Sequence, residues 1–447
     1  MADNVASSKY FLKWTIHITL VLMSFYGVTY SDPYDDNIAF QAGTENQPEF
    51  AAAAKPFRYL IYDVNPGEGF NLRRDVYMRI ANLVNNLNKD EVWILVLPAW
   101  KKMYHWQSKD VGEQTKIRWS TFFDLPSLNH HVPVMEFEDF LMSLPDYSID
   151  EVYHLQRYKE PWTHWSEKMQ IEECHEWTGF HERPNGSYWS SFFDFGHDMD
   201  ITAKKFNCLS IQGHASFIKP FLLQNTTGRS VFIDRAETLL HDRFGNSLYW
   251  QARKSMVFAK HLREIGDEYR AKHLDSTDET DKTVMDPDWR KNEKKAGDAK
   301  GGPYLGVHLR RKDYVKAHKK HVPSLTYAAE QIENLLQKYK LKKVFVATDA
   351  PTNEFSELKS YLKKYKVFRF EPSKEIRMKY KDGGMAIIDQ WIVAHARYFI
   401  GTHVSTFSFR IQEEREILGF DPETTFNTLC GDDDEECEQP AKWKIVN

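Results

Sequence analysis

Apolar residues along this chain follow two alternating patterns. Short continuous runs bounded by Pro, Gly or Asp alternate with stretches in which apolar residues recur every three or four positions. Residues 57–63, Phe-Arg-Tyr-Leu-Ile-Tyr-Asp, are of the first kind and predict a buried strand. A loop rich in Pro and Gly follows, Asn65-Pro66-Gly67-Glu68-Gly69-Phe70-Asn71. Val76, Ile80, Leu83, Val84 and Leu87 then mark one face of a helix. Residues 92–97 predict a second strand, stopped by Pro98, and 132–137 and 231–234 predict two more. The alternation returns late in the chain, with strands at 304–309, 344–348, 367–370 and 398–400 and helices at 325–336, 354–365, 384–397 and 405–416. Strands separated by helices predict an α/β fold with parallel sheets. Residues 275–302 break the rhythm: they are charged, poor in apolar residues and end on Gly301-Gly302-Pro303, which reads as a polar loop or linker. The expected organisation is a first α/β unit at 56–274 and a second at 303–447, facing each other across a cleft. In such sheets ligands bind outside the carboxyl ends of the strands.

Length and charge narrow the classes. The 447 residues correspond to two or three domains at about 100–200 residues each. With 59 Lys+Arg against 64 Asp+Glu, the net charge of −5 leaves no basic surplus for nucleic acid. An apolar share of 42% with 28% charged residues excludes wholesale disorder and a polytopic membrane protein. Lys9 and Lys13 precede an apolar run at 16–26 and small residues up to Ser31, the order of a signal peptide over 1–31, with a polar, Ala-rich tail at 32–55. An uncleaved anchor is the alternative, and the run is short for a span of about 20 residues. Cys174, Cys208, Cys430 and Cys437 fit an oxidising compartment. Three pairings are open; the simplest is local, Cys174–Cys208 and Cys430–Cys437. No Cys-x-x-Cys favours zinc. Asn185 and Asn225 open Asn-x-Ser/Thr sequons and are glycosylation candidates.

Three constellations could carry chemistry. Glu68 stands between Gly67 and Gly69 directly after a buried strand, where a carboxylate can act as general base; the alternative is an ordinary turn with a solvated Glu. The strand at 304–309 runs into His308-Leu309-Arg310-Arg311-Lys312, a cation cluster suited to a diphosphate, or else a solvated basic turn. Ser405, Thr406 and Phe407 open a helix whose free N–H groups make an anion site, unless they merely cap it. Asp389 lies among apolar neighbours and needs a partner, which a guanine N–H edge or a nearby Arg would supply. Glu414 and Asn65 are candidate supporting residues. Asp286-Pro287-Asp288 has the letters of a metal-binding Asp-x-Asp but lies in the polar stretch rather than after a strand. No metal or other cofactor is therefore expected, and Arg310 with helix N–H groups is expected to meet phosphate charge.

Taken together, these segments resemble the protein O-fucosyltransferase family, second type. The resemblance is carried by Tyr62-Asp-Val-Asn-Pro-Gly-Glu-Gly-Phe-Asn-Leu-Arg-Arg-Asp-Val-Tyr77, Tyr104-His-Trp-Gln107, Met256-Val-Phe-Ala-Lys-His-Leu-Arg263, Gly302-Pro-Tyr-Leu-Gly-Val-His-Leu-Arg-Arg-Lys-Asp313, Val344-Phe-Val-Ala-Thr-Asp-Ala350, Ala386-Ile-Ile-Asp-Gln-Trp391 and Ser405-Thr-Phe-Ser-Phe-Arg410. It implies a GT-B architecture of two Rossmann-like domains, with the donor held mainly by the second. It also implies inverting, metal-independent transfer of fucose from GDP-fucose to Ser or Thr of folded thrombospondin type 1 repeats in the endoplasmic reticulum lumen, a step of protein glycosylation and secretion quality control. By this likeness Glu68 is the catalytic base, and Gly67, Glu68, Gly69, Phe70 and Asn71 line the donor site. His308, Leu309 and Arg310 meet diphosphate and sugar, Asp389 meets the guanine side, and Thr406 and Phe407 meet the nucleotide. Gly67 departs from the family pattern, which often has Pro before the Glu; this loosens the loop and leaves Glu68 in place. Two rivals are a Rossmann dehydrogenase, opposed by the missing Gly-x-Gly-x-x-Gly, and a catalytically silent binding chaperone, opposed by the presence of both Glu68 and Arg310.

Overall fold

The computed structural model describes residues 57–439, apart from 102, 160–164, 191–199, 426, 435, 436 and 438. The expected signal segment and tail lie outside the described residues. The first apolar run forms β1 (Arg58–Tyr62), and the glycine-rich loop leads into the 18-residue helix α1 (Phe70–Leu87). The first sheet continues with β2 (Trp93–Leu97), β3 (Val134–Glu136), β4 (Ser148–Gln156), β5 (Lys168–Glu172), β6 (Phe180–Glu182), β7 (Tyr188–Ser190), β8 (Thr202–Gln212) and β9 (Ser230–Asp234). Its order is β3-β2-β1-β9-β4-β8-β7-β6, parallel from β3 to β8, with β5 and β7 antiparallel on the outer edge of β8. Helices α2 (Ser247–Ser255) and α3 (Lys260–Tyr269) lead to the second sheet. That sheet holds β10 (Gly302–Leu309), β11 (Lys343–Thr348), β12 (Lys366–Phe368), β13 (Ala396–Thr402) and β14 (Thr428–Leu429), in the order β12-β11-β10-β13-β14 and parallel throughout. Helices α4 (Leu325–Lys338), α5 (Thr352–Tyr361), α6 (Lys374–Ala394) and α7 (Thr406–Leu418) connect its strands.

The apolar face of α1 buries Val76, Ile80, Leu83, Val84 and Leu87, as its spacing requires. Full burial of each such side chain contributes about 1.5–3 kcal/mol. This core continues without a break into α2, α3, α6 and β13, so the two sheets share one apolar interior. Smaller clusters cover the far faces of the two sheets.

Four differences from the sequence reading have physical causes. Strands β4 and β8 escape an apolar-run reading because their buried positions include Glu151, His154, Gln156 and Ser210. These are paired internally: Glu151 accepts from the Thr227 and Gly228 N–H groups, His154 meets Asp234, and Gln156 donates to Ser210. Helix α6 starts ten residues earlier than read, and Lys381 breaks its regular geometry at φ 57°. Helix α3 precedes the expected boundary at 274 yet packs on the second sheet and its helix α6: Tyr269 meets Phe345 of β11 and Phe370 beyond β12, and the Trp391 indole of α6 donates to Asp267. The polar stretch at 275–302 is packed rather than free. Buried Arg270 pairs with Asp267, Asp278 and Asp281, and the buried Trp289 indole donates to the Ser127 carbonyl.

Candidate active site

Loops from the carboxyl ends of β1 and β10 approach each other on the two sides of His105. After β1, Asn65 closes a tight turn: its side-chain oxygen accepts from Gly67 N–H at 3.2 Å and its carbonyl from Glu68 N–H at 2.9 Å. Gly69 then caps α1, whose first turn holds no acid, so the N–H groups at that helix start lie beside Glu68. Glu68 is half-buried, and among the described residues its carboxylate has no hydrogen-bond partner. Arg73, one turn into α1, donates to the carbonyls of Val64, Asn65 and Glu68. Behind it, burial works against the charge of Asp63, but Lys101 and Arg73 outweigh it and hold that carboxyl below its usual range.

At the end of β10, Arg310 donates to Asp313 at 2.6 Å and meets His105 Nδ1 at 3.1 Å. Its Nε stands 3.2 Å from Asp349 but is misaligned, so each of those two atoms lacks a hydrogen bond. His105 belongs to the opposite half. Its ring also lies against the Glu68 loop, since a Cβ on Gly69 would sit 3.4 Å from His105 Cδ2. Burial and the Arg310 charge lower the His105 pKa, which keeps Nδ1 available as an acceptor. An open cavity of about 580 Å³ lies here, lined by Tyr104, His105, Gln107, Arg310, Asp313 and Asp349 among others.

His308 is buried, stacks on Phe407 at 4.3 Å and contacts Ser408 Oγ at 2.8 Å. Burial, then Arg310, push its pKa down to about 3, so the ring is neutral. Because Ser408 donates to the Thr402 carbonyl, the network assigns the His308 proton to Nδ1 and leaves Nε2 as an acceptor. A neutral acceptor suits a sugar hydroxyl rather than an ionised phosphate. Thr406 is exposed at the first turn of α7, beside His308 through Phe407. Asp389 lies on α6, half-buried, with Oδ1 sealed and unpartnered. Burial, only partly opposed by Arg369, pushes its pKa up to about 8.

Other candidates take different places. Leu309 is 1% exposed and packs in the second sheet's far core, so it spaces His308 from Arg310 and has only its backbone to offer a ligand. Phe70 is buried against Trp100, Trp106 and Phe122 and supports the loop from beneath rather than lining it. Of the cation cluster, Arg311 turns away to Glu354 and the Pro323 carbonyl. Asn71 joins the halves: its Oδ1 accepts from Arg74 and from Gln390 of α6. Glu414 belongs to the same seam, pairing with Arg253 beside the buried Glu413, which meets Arg253, Arg410 and Tyr249. Sequence reading did not single out His105, Asp313 or Asp349 as site residues. Asp349 carried a signal, an acid just past a strand's carboxyl end; His105 stood in a segment of the family resemblance, but its contacts with Gly69 and Arg310 exist only once the two halves meet.

Both disulfides pair locally, Cys174–Cys208 and Cys430–Cys437. Asn185 and Asn225 are exposed. Asp288 caps a short turn and pairs with Arg290, and among the described residues no three metal-ligating side chains converge.

Residues 59–418 match the family described as GDP-fucose protein O-fucosyltransferase. The chain is 53% identical over 409 residues to GDP-fucose protein O-fucosyltransferase 2 of Homo sapiens, a match covering 91% of this chain and 94% of that protein. Against the protein of the same name from Caenorhabditis elegans it is 45% identical over 395 residues, covering 87% and 90%. A crystal structure of POFUT1 in complex with GDP-fucose superposes with a TM-score of 0.53 at 16% identity, covering 81% of this chain and 96% of that one. That likeness is one of fold, the GT-B arrangement of two parallel-sheet units about a cleft. By the span of the family match and the identity to these relatives, the chain belongs to the GDP-fucose protein O-fucosyltransferase family.

Proposed function

We propose that this glycosyltransferase moves fucose from GDP-fucose to a Ser or Thr hydroxyl of folded thrombospondin type 1 repeats, with inversion at the sugar. The observation that carries the reading is that His105 brings the Glu68 loop and Arg310 together, lying against Gly69 on one side and bonding Arg310 on the other. Glu68 takes the hydroxyl proton as the acceptor oxygen attacks the anomeric carbon. The bond from that carbon to the GDP oxygen breaks in the same displacement, so a β-linked donor yields an α-linked fucose. Arg310, backed by N–H groups at the start of α7, offsets charge gathering on the departing diphosphate. His308 Nε2 accepts from a sugar hydroxyl, and Asp389 takes the guanine N–H edge.

The reaction in this reading needs no divalent cation, because Arg310 and helix N–H groups supply the charge a metal would otherwise provide. The endoplasmic reticulum lumen is the proposed compartment, supported by the two disulfides, the exposed sequons and the leader pattern at 1–31. The test is to incubate the protein with GDP-fucose and an oxidised, folded repeat and to weigh the product. A mass gain of one deoxyhexose at a Ser or Thr is expected, and unmodified repeat with intact GDP binding would overturn the proposal.

A further inference from the structure

We propose that Arg73 is the positioning residue of Glu68, a guanidinium that turns a glycine-flanked loop into a fixed mount for the carboxylate. The inference rests on the reading of Glu68 as general base. The loop's own hydrogen bonds are those of the Asn65 turn, while Gly67 and Gly69 flank Glu68 and glycine has the widest backbone freedom of any residue. Three of its carbonyls nevertheless end on one side chain. Arg73 Nη2 donates to Val64 O at 3.3 Å and Asn65 O at 2.9 Å, and Nε donates to Glu68 O at 3.1 Å. The remaining edge of the fork, Nη1, donates to Asp63 Oδ1 at 3.3 Å.

The anchor is itself anchored. Asp63 Oδ2 accepts from Lys101 Nζ at 2.5 Å, so the loop is referred to α1 through Arg73 and to the segment after β2 through Lys101. Arg73 sits in the first turn of α1, and its own N–H bonds Gly69 O at 3.0 Å. Its side chain is 8% exposed and faces the loop's inner side, so whatever it does for the reaction passes through Glu68. A planar guanidinium offers five donors in a rigid fork; an ammonium offers a point charge on a flexible stem and cannot span three carbonyls and a carboxylate.

The experiment measures turnover and GDP affinity for Arg73→Ala, Arg73→Lys, Glu68→Gln and the double variant Arg73→Ala/Glu68→Gln. A displacement of about an ångström at a reacting group costs on the order of 10²-fold, so Arg73→Ala should lose that much kcat and keep its GDP affinity. Added guanidinium ion should restore part of the loss, and methylammonium should not. Arg73→Lys should stay slow. In the double variant Arg73→Ala should cost nothing beyond Glu68→Gln, because a carboxylate that is absent cannot be misplaced. An equal loss with and without Glu68 would overturn the proposal, as would full turnover in Arg73→Lys. Should Arg73→Ala fail to bind GDP, Arg73→Lys takes its place, alone and combined with Glu68→Gln, and the same comparison decides the matter. Full turnover in Glu68→Gln would remove the base assignment itself, whereas a silent Glu68→Gln beside a fully active Arg73→Lys would remove only the role given to Arg73.

Discussion

GDP binding should release a proton and strengthen as pH rises to about 8, and Asp389 is the reason. Its carboxyl has a pKa pushed to about 8 by burial, with Arg369 opposing, and its sealed Oδ1 has no partner. The guanine edge presents N–H donors, which the ionised carboxylate accepts far better than the protonated acid at Oδ2, the oxygen that is not sealed. Below pH 8 the nucleotide must therefore expel the proton first. Each pH unit costs a factor of ten, so the affinity at pH 6 should be on the order of 10²-fold weaker, or about 2.7 kcal/mol. The stability of the free protein moves the other way. Between the unfolded value of 3.8 and about 8, the folded chain holds a proton that the unfolded chain has lost, so this group's contribution to stability falls as pH rises through that window. The thermal shift produced by GDP should grow over the same range. Calorimetric titration between pH 6 and 9 in two buffers of different ionisation enthalpy reads both the affinity and the protons released. Asp389→Asn supplies the baseline, since it keeps the phosphate's own titration and removes the carboxyl. Equal affinity at pH 6 and 8 in the wild-type protein, or an undiminished slope in Asp389→Asn, would refute the assignment.

Glu68→Gln should cut turnover by about 10²–10⁴-fold, the usual worth of positioned proton transfer, with GDP affinity unchanged in the same calorimetric assay; a near-normal rate would give the proton to another acceptor. Arg310→Ala should weaken GDP by roughly the 1.5–3 kcal/mol of a charge-assisted bond and slow turnover further, and Arg310→Lys should recover part of the binding, measured by steady-state kinetics with varied GDP-fucose. Excess chelator should leave the rate intact; a loss restored by Mn²⁺ or Mg²⁺ would show that the phosphate charge is met differently. Reduced, unfolded repeat should be a far poorer acceptor than the oxidised form when both are offered together, and equal transfer would place recognition in the local peptide.

Strands whose burial is apolar were legible from the chain. β1, β2, β10 and β11 came within two residues of their ends, because Val, Ile and Leu in continuous runs have nowhere to go but a doubly covered sheet. β4 was not legible, since Glu151 and His154 interrupt its apolar run and their partners, Gly228 just before β9 and Asp234 on it, lie far along the chain. The site divided along the same line. Glu68, Arg310 and Asp389 stood out as candidates because each sits at a marked place, a glycine turn, a strand's end or an apolar helix face. Leu309 and Phe70 entered through the family resemblance, and strand alternation and the aromatic cluster under the loop place their side chains in cores. His105 and the Arg74–Gln390 bond depend on two segments far apart in sequence, which no local pattern encodes.

Helix α3 has a consequence for how the chain is made. Leu262, Gly266 and Tyr269 are synthesised long before the surfaces they rest on. A Cβ on Gly266 would lie 2.7 Å from Trp391 Cδ1, and Tyr269 needs Phe345 and Phe370. At roughly 5–20 residues per second, the stretch between Gly266 and Trp391 takes on the order of 10 s to translate. During that interval the emerging first half carries an uncovered aromatic and aliphatic stripe, a natural target for a holding chaperone. The nascent first sheet can form, but its last helix waits for the rest of the polypeptide. Pulse-labelled chains stalled once 274 has cleared the ribosome should therefore be protease-sensitive from 260 onward, and two separately expressed pieces divided there should recover their native packing only when mixed.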